Sequence, residues 1–339
     1  MKEEDVTGMR EFAPSLLEPF GLKARKVTRA YGAFICETSQ GLKIVKKTTA
    51  SAGQLWFAHG AKEYLAGAGF GNTDRFRLTE TGEPFACAGS ECYTVRDWLA
   101  GEEPELKERA QNLKIAEELG RMSCRSEGYR APELCRAVSR YHELPEQLHK
   151  QSRQLERYGK SLRKNGRYTE FDLMLLDCLP IHIEQAREAE QILSAPAYAE
   201  EAERLERDLV FSHGSFSDHT VQWGQGAMLI TDFEEACYRM PVLDLAGFME
   251  KVLRKNSWET SLGIGLAAAY ERYCHINAVQ RRILYAALLF PGRLAQLCYE
   301  VYSVRRSWIP LSYGRKLEEI RAQQEERRRF LEDFRREWL

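Results

Sequence analysis

The spacing of apolar residues changes character near Asp97, and few folds accommodate that change. Before it, β-forming residues come in short runs: Leu22–Val27, Ala33–Glu37, Leu42–Lys47, Phe76–Thr79, Pro84–Ala88 and Cys92–Val95. Turn-formers separate them at Tyr31-Gly32, Thr38-Ser39-Gln40-Gly41 and Thr81-Gly82, a pattern that predicts about five strands. One stretch among them, Gln54–Ala66, has helical spacing, with Leu55, His59, Tyr64 and Leu65 near one stripe and a stop at Gly67 and Gly69. After Asp97, apolar positions recur every three or four residues in Leu106–Ser123, Glu143–Leu162, Phe171–Ala195, Ala197–Leu209, Leu243–Arg254, Leu262–His275 and Val279–Val304. A β-like interlude covers Leu209–Ser212, Val221–Trp223 and Met228–Thr231. The expected class is therefore α+β, with a small sheet-and-helix unit over residues 1–97 and a larger, mainly helical unit over 98–339. The length, 339 residues, suits two such units.

Charge and apolar run length exclude several roles. Forty-nine Lys plus Arg against fifty Asp plus Glu leave a net charge of -1, without the basic excess that a phosphate backbone selects, so no nucleic-acid partner is expected. The longest apolar stretches, Ile283–Phe290 and Leu262–Tyr270, fall short of the roughly 18 residues of a bilayer crossing. The opening MKEEDVTGMR lacks the apolar core of a secretion signal. A soluble intracellular chain with reduced, mostly buried thiols is the expectation. Its nine cysteines include no Cys-x-x-Cys pair, and Cys87 with Cys92, or Cys274 beside His275, complete no four-ligand zinc pattern. The last segment, Arg315–Leu339, reads as a charged helix with Leu317, Ile320, Gln324, Phe330, Leu331, Phe334 and Trp338 along one side. Acidic neighbours make its Arg327–Arg329 run a solvated face rather than an anion site. The same reading applies to Glu170, Asp172 and Asp177, whose alternative is contact with a cationic substrate.

The stretch richest in chemistry is LVFSHGSFSDHTVQWGQGAMLITDFEEACYRMPVLDLAGF, from Leu209 to Phe248. A strand runs into His213-Gly214, a hairpin leads to Asp232-Phe233-Glu234, and Asp244-Leu245-Ala246 follows. This ordered set resembles the catalytic core of kinase-like phosphotransferases related to aminoglycoside and choline kinases. The resemblance implies a bilobal protein-kinase-like fold with a five-stranded antiparallel sheet lobe, Asp232 as the main magnesium ligand, and His213 and Asp244 as anchors of the loop. It also places Lys46 where a third-strand lysine meets nucleotide phosphates, with Glu63 on the following helix as its salt-bridge partner. Lys43 and Lys47 flank that position, and alternation sets Lys46 and Lys47 on opposite faces, so the choice between them stays open. More particularly, Thr38–Gly41 leading to Lys46, Tyr64-Leu65 through Gly69-Phe70, Thr79–Pro84, and Tyr93 with Asp97–Gly101 resemble the CotS-type spore coat family of kinase-like proteins, over about Lys26 to Trp308.

Departures from the motif bear on activity. Ser215 stands at the catalytic Asp position and Thr220 at the metal-binding Asn position. A serine hydroxyl carries no charge near neutral pH and cannot act as a carboxylate base; loss of a positioned base costs about 10²–10⁴-fold in rate. Asp218, three residues further on, is the possible substitute from a shifted position. Between the first two strands, Arg29-Ala30-Tyr31-Gly32-Ala33 has a single glycine, too few for backbone N–H groups to wrap phosphates. These losses beside intact Lys46 and Asp232 predict a pseudokinase that binds ATP and magnesium weakly if at all. The family resemblance implies a role in coat assembly, other coat proteins as partners, and synthesis in the mother-cell cytoplasm. The alternative is an active phosphotransferase on a small hydroxyl- or amine-bearing substrate, with Asp218 as base.

Overall fold

Alternation of side chains along five strands builds the first unit of the computed structural model, which describes residues 13–30, 32–99, 101–133, 135, 139–224, 227–302 and 309–339. The expected amino-terminal reading, the Tyr31 turn position and the stretch 303–308, which includes Val304 and Trp308, lie outside the described residues. Strands β1 (Ala24–Ala30), β2 (Ala33–Thr38), β3 (Gly41–Thr48), β4 (Ala86–Ala88) and β5 (Glu91–Asp97) form an antiparallel sheet of order β1-β2-β3-β5-β4, with helix α1 (Ala52–Gly67) following β3. Cys36, Val45, Tyr93 and Val95 point to one face and close a core with Leu17, Phe20 and Leu22 from the 3-10 helix Pro14–Phe20 and its exit. The register pairs Lys46 with Thr94 and Ile44 with Arg96, so Lys46 and Arg96 share the other face. A capping box between Ser51 and Gln54 starts α1.

Two expectations for this unit need correction. Phe76–Thr79 is not a strand: it contributes an isolated bridge from Phe76 to Arg96 and one hydrogen bond from the Arg77 N–H to the Val95 carbonyl, 2.7 Å. Cys87 and Cys92 are not free thiols. They face each other in the β4–β5 register and are disulfide-bonded, whereas Cys36, Cys124, Cys135, Cys178, Cys237, Cys274 and Cys298 are free.

The unit boundary also differs from the expected break after residue 97. One compact unit comprises the chain through Glu102 together with Ala131–Ala137 and Gln222–Ala236, and the other comprises Glu103–Arg130, Val138–Val221 and Cys237–Leu339. Asp232 thus belongs to the sheet unit, not the helical one. It follows the hairpin β7 (Val221–Gly224) and β8 (Ala227–Ile230), and the Ile230 N–H bonds the Asn72 carbonyl at 2.9 Å.

The second unit holds α2 (Arg109–Cys124), α3 (Glu143–Asn165), α4 (Glu170–Leu193), α5 (Pro196–Arg207), α6 (Val242–Lys255), α7 (Thr260–Glu271), α8 (Ala278–Leu289), α9 (Gly292–Tyr302), α10 (Leu311–Ala322) and α11 (Gln324–Trp338), with β6 (Phe211–Ser212) paired to β9 (Cys237–Tyr238). The run expected as one helix from Val279 breaks at Pro291, which has no N–H to continue the ladder. The charged terminal helix breaks at Gln323, whose amide is drawn to the Arg254 carbonyl and the Trp258 indole N–H. Leu317, Phe330, Leu331, Phe334 and Trp338 are buried. Arg327 is not a solvated cation: its guanidinium donates to the Leu288 and Leu289 carbonyls at 2.8 and 2.9 Å, closing the end of α8. Among the described residues no helix is long and apolar enough to cross a membrane.

Candidate functional site

Within the sheet unit, Lys46 and Asp232 meet. The β3 ammonium donates to Asp232 Oδ1 at 2.8 Å. This selects Lys46 over its neighbours, because Lys43 pairs with Asp97 and Lys47 with Glu91. Asp232 adopts φ 62° and ψ 52°, a left-handed conformation that costs a non-glycine residue free energy and is concentrated at functional positions. The following Phe233 is fully buried in this unit, which pins the carboxylate at the end of β8.

Asp232 has a second cationic partner. Arg96 on β5, 2% exposed, donates from Nη1 to Asp232 Oδ1 at 3.0 Å and also pairs with Asp74. Lys62 on α1, wholly buried, completes the group by pairing with the Asp74 carboxylate at 2.6 Å and donating to the Asp74 carbonyl at 2.8 Å. Glu234 lies 3.9 Å from Arg96 Nη2 and accepts from the Thr48 hydroxyl at 2.8 Å. Burial pushes the Lys62 ammonium down to about 8, against the pull of Asp74. Burial opposes ionisation of Asp232, yet Arg96 and then Lys46 outweigh it and hold the carboxyl well below the usual carboxylate range.

Glu63 does not join Lys46. Its carboxylate is held by Arg75 from the loop after α1, with Arg75 Nε donating at 2.7 Å. One helical position separates Glu63 from Lys62, and the rotation of about 100° between neighbours turns Lys62 inward and Glu63 to the half-buried flank. The Lys46 partner is therefore Asp232.

In the helical unit, the loop after β6 is fastened by Asp244 in the first turn of α6. Its carboxylate accepts the N–H groups of His213 at 2.7 Å and Gly214 at 3.1 Å. His213 is fully buried and its ring meets Phe216 edge-on at 5.7 Å. Gly214 has φ 84°, available to glycine without strain. Ser215 is exposed and lines a pocket of about 410 Å³ with Arg239, Asp244, Lys251, Arg254 and Arg293. Asp218 pairs with Lys251 at 3.1 Å. Thr220 turns its hydroxyl back into the loop, accepting from the Ser217 N–H at 3.0 Å and donating to the Ser217 carbonyl at 2.9 Å. A hydroxyl committed in this way presents little to a metal.

Over residues 14–334 the sequence matches the family described as Spore coat putative kinase YutH. The chain belongs to the YutH family of spore coat kinase-like proteins. It is also similar to spore coat protein S of Bacillus subtilis (strain 168), 21% identical over 338 residues, covering 98% of this chain and 94% of that protein. An aminoglycoside phosphotransferase from Alicyclobacillus acidocaldarius subsp. acidocaldarius DSM 446 has a TM-score of 0.87 at 16% identity, covering 97% of both chains. Amicoumacin kinase hAmiN, in complex with AMP-PNP, Ca2+ and Ami, has a TM-score of 0.59 at 11% identity, covering 94% of this chain and 90% of its own. The YutH-family chain thus has the kinase-like aminoglycoside phosphotransferase fold expected from its motifs.

Whether this YutH-family site suits magnesium depends on its donors. Mg²⁺ takes about six oxygens in near-octahedral array and favours carboxylate, phosphate and water. Here three cations, Lys46, Lys62 and Arg96, already balance three carboxylates, Asp74, Asp232 and Glu234. Among the described residues no cluster of three or more His, Cys, Asp or Glu side chains is arranged to hold a metal ion. Such a cluster is not what a phosphate-bound Mg²⁺ needs; what disfavours the ion in this arrangement is that Asp232 Oδ1 is taken by Lys46 at 2.8 Å and Arg96 at 3.0 Å, and so held the donors do not fit it. Sequence reasoning missed Lys62, Asp74 and Arg96, although the spacing of Leu55, Ala58, Lys62 and Leu65 put that lysine on the inner stripe of α1.

Proposed function

We propose that the chain is a kinase-fold component of the spore coat that binds other coat proteins and does not transfer phosphate. The observation that carries this reading is the loop chemistry. Ser215 supplies no carboxylate, and Asp218, the substitute available nearby, is ion-paired to Lys251 on α6 at 3.1 Å. Phosphoryl transfer depends mostly on positioning and charge neutralisation, so a displaced and neutralised acid is a poor base. Nucleotide binding, on this reading, is weak or absent. Synthesis in the mother-cell cytoplasm followed by assembly onto the coat accords with family membership. The meeting of Lys46 and Asp232 at 2.8 Å favours the competing reading, an active phosphotransferase on a small hydroxyl- or amine-bearing substrate, but that reading needs Asp218 to leave Lys251.

The test is phosphate transfer from radiolabelled ATP by the full chain with Mg²⁺, using coat extract and small alcohols and amines as acceptors. Transfer no greater than that of an Asp232→Ala control is expected, with coat assembly intact in cells carrying Asp232→Ala. Transfer above that control in the unmodified protein overturns the reading.

A further inference from the structure

We infer that Arg96 is a built-in cation that neutralises Asp232 in place of a divalent metal, so that the carboxylate of this fold's metal position is kept metal-free. The placement follows from the sheet. Arg96 sits on β5 opposite Ile44, two positions along from the Thr94–Lys46 pair, and alternation turns it to the face that carries Lys46. Nη1 of the guanidinium is shared between Asp74 Oδ2 and Asp232 Oδ1, the latter at 3.0 Å, while Nη2 lies 3.9 Å from Glu234. The Phe76 ring centroid lies 5.7 Å from the guanidinium carbon. A guanidinium is permanently charged and presents several donors in a fixed fork, so it serves two carboxylates at once. Lys46 takes the same Oδ1 at 2.8 Å.

Electrostatics make this arrangement exclusive. A divalent ion gains most where carboxylates are in excess, but this cluster is already neutral. Bringing Mg²⁺ to Asp232 requires it to displace two charge-assisted hydrogen bonds and to stand beside Lys46 and the buried Arg96, whose charge water screens little. Displacing Arg96 is harder still, because its 2% exposure leaves a released guanidinium no water to enter. Arg96 therefore performs the charge balance that a metal supplies elsewhere, and it is fixed there by Asp74. The inference rests on the sheet unit alone and is read by metal binding, so its failure is distinguishable from failure of the loop-based reading above.

The experiment titrates the full chain with MnCl2 and follows bound Mn²⁺ by electron paramagnetic resonance. The unmodified protein is expected to show no Mn²⁺ site that Asp232→Asn removes. Arg96→Met is expected to gain one, binding about 10–100-fold tighter than any residual association, and Arg96→Met combined with Asp232→Asn to lose it again. A site in the unmodified protein that Asp232→Asn abolishes overturns the inference, as does a folded Arg96→Met protein that takes up no Mn²⁺. Should Arg96→Met fail to fold, the comparison of unmodified protein with Asp232→Asn decides alone.

Discussion

Asp74 serves two buried cations, Lys62 and Arg96, whose side chains are 0% and 3% exposed, and this sets the cost of removing it. Asp74→Ala leaves both charges without their shared counterion, so a loss of about 3–5 kcal/mol is expected. By contrast Asp177→Ala removes a pair to Arg321 whose members are 61% and 52% exposed, and less than about 1 kcal/mol should follow. Urea denaturation of the two variants separates them; equal losses would show that burial does not set the scale. A different residue contributes to acid sensitivity. His182 on α4, 3% exposed, donates to the Cys178 carbonyl at 2.8 Å. Burial pushes its imidazole from 6.5 down to about 4, with the Arg327 charge adding to burial and the hydrogen bond opposing it. Between those values the unfolded chain takes up a proton that the folded chain refuses. The contribution of neutral His182 is thus complete above pH 6.5 and is lost as pH falls towards 4, at about 1.4 kcal/mol per unit. About 2 kcal/mol should be missing at pH 5, and His182→Gln, which can still donate to Cys178, should remove that increment. Identical pH profiles for the two proteins would defeat the assignment. Neither residue was legible in the sequence as more than a polar position on a helix or loop, because burial is decided by what other elements bring.

At the scale of elements, the loop after β6 and helix α6 behave as one piece because Asp244 accepts two loop N–H groups. Asp244→Ala leaves the His213 and Gly214 amides without that acceptor, at about 1–3 kcal/mol, and the loss is local. Hydrogen exchange should quicken at 213 and 214 while α8 stays protected; uniform loss of protection would mean that the aspartate supports the whole unit instead. Helix packing gives a second test. At Gly120 on α2 an added Cβ meets the Tyr270 carbonyl oxygen of α7 at 2.4 Å, whereas at Gly159 on α3 it meets a Leu179 methyl at 2.6 Å. Backbone cannot rotate away as a leucine tip can, so Gly120→Ala should cost about 1–3 kcal/mol and Gly159→Ala distinctly less. Thermal denaturation ranks the two, and the reverse order would refute the close-approach argument. The elements themselves were largely readable, since Val45, Val95 and the inward stripes of the helices follow periods of two and of three to four. What periodicity could not show was where one long pattern divides: Pro291 breaks α8 from α9 by lacking an N–H, and Gln323 breaks α10 from α11 through contacts with residues some seventy positions away.

For the molecule as a whole, the sequence order His213-Gly214, Asp232-Phe233-Glu234, Asp244-Leu245-Ala246 was sufficient to indicate the kinase-like fold, and Asp244 holds the His213 and Gly214 N–H groups whether or not chemistry follows. Division into units was less legible. A linear boundary after residue 97 missed the return of Gln222–Ala236 to the sheet unit, a pairing between segments far apart in sequence that no local pattern encodes. The proposed reading can be tested at the loop after β6. If Ser215 stands where a catalytic acid belongs, Ser215→Asp supplies that carboxylate, and a positioned base is ordinarily worth about 10²–10⁴-fold. Asp232 nevertheless remains held by Arg96 and Lys46 at 3.0 and 2.8 Å, and Thr220 remains closed on Ser217. Ser215→Asp, alone or with Thr220→Asn, is therefore expected to fold, as judged by circular dichroism and thermal denaturation, and still to transfer no phosphate from radiolabelled ATP above the Asp232→Ala background. Transfer restored by Ser215→Asp alone would place the whole deficit in the loop and leave the neutralised Asp232 without consequence for activity.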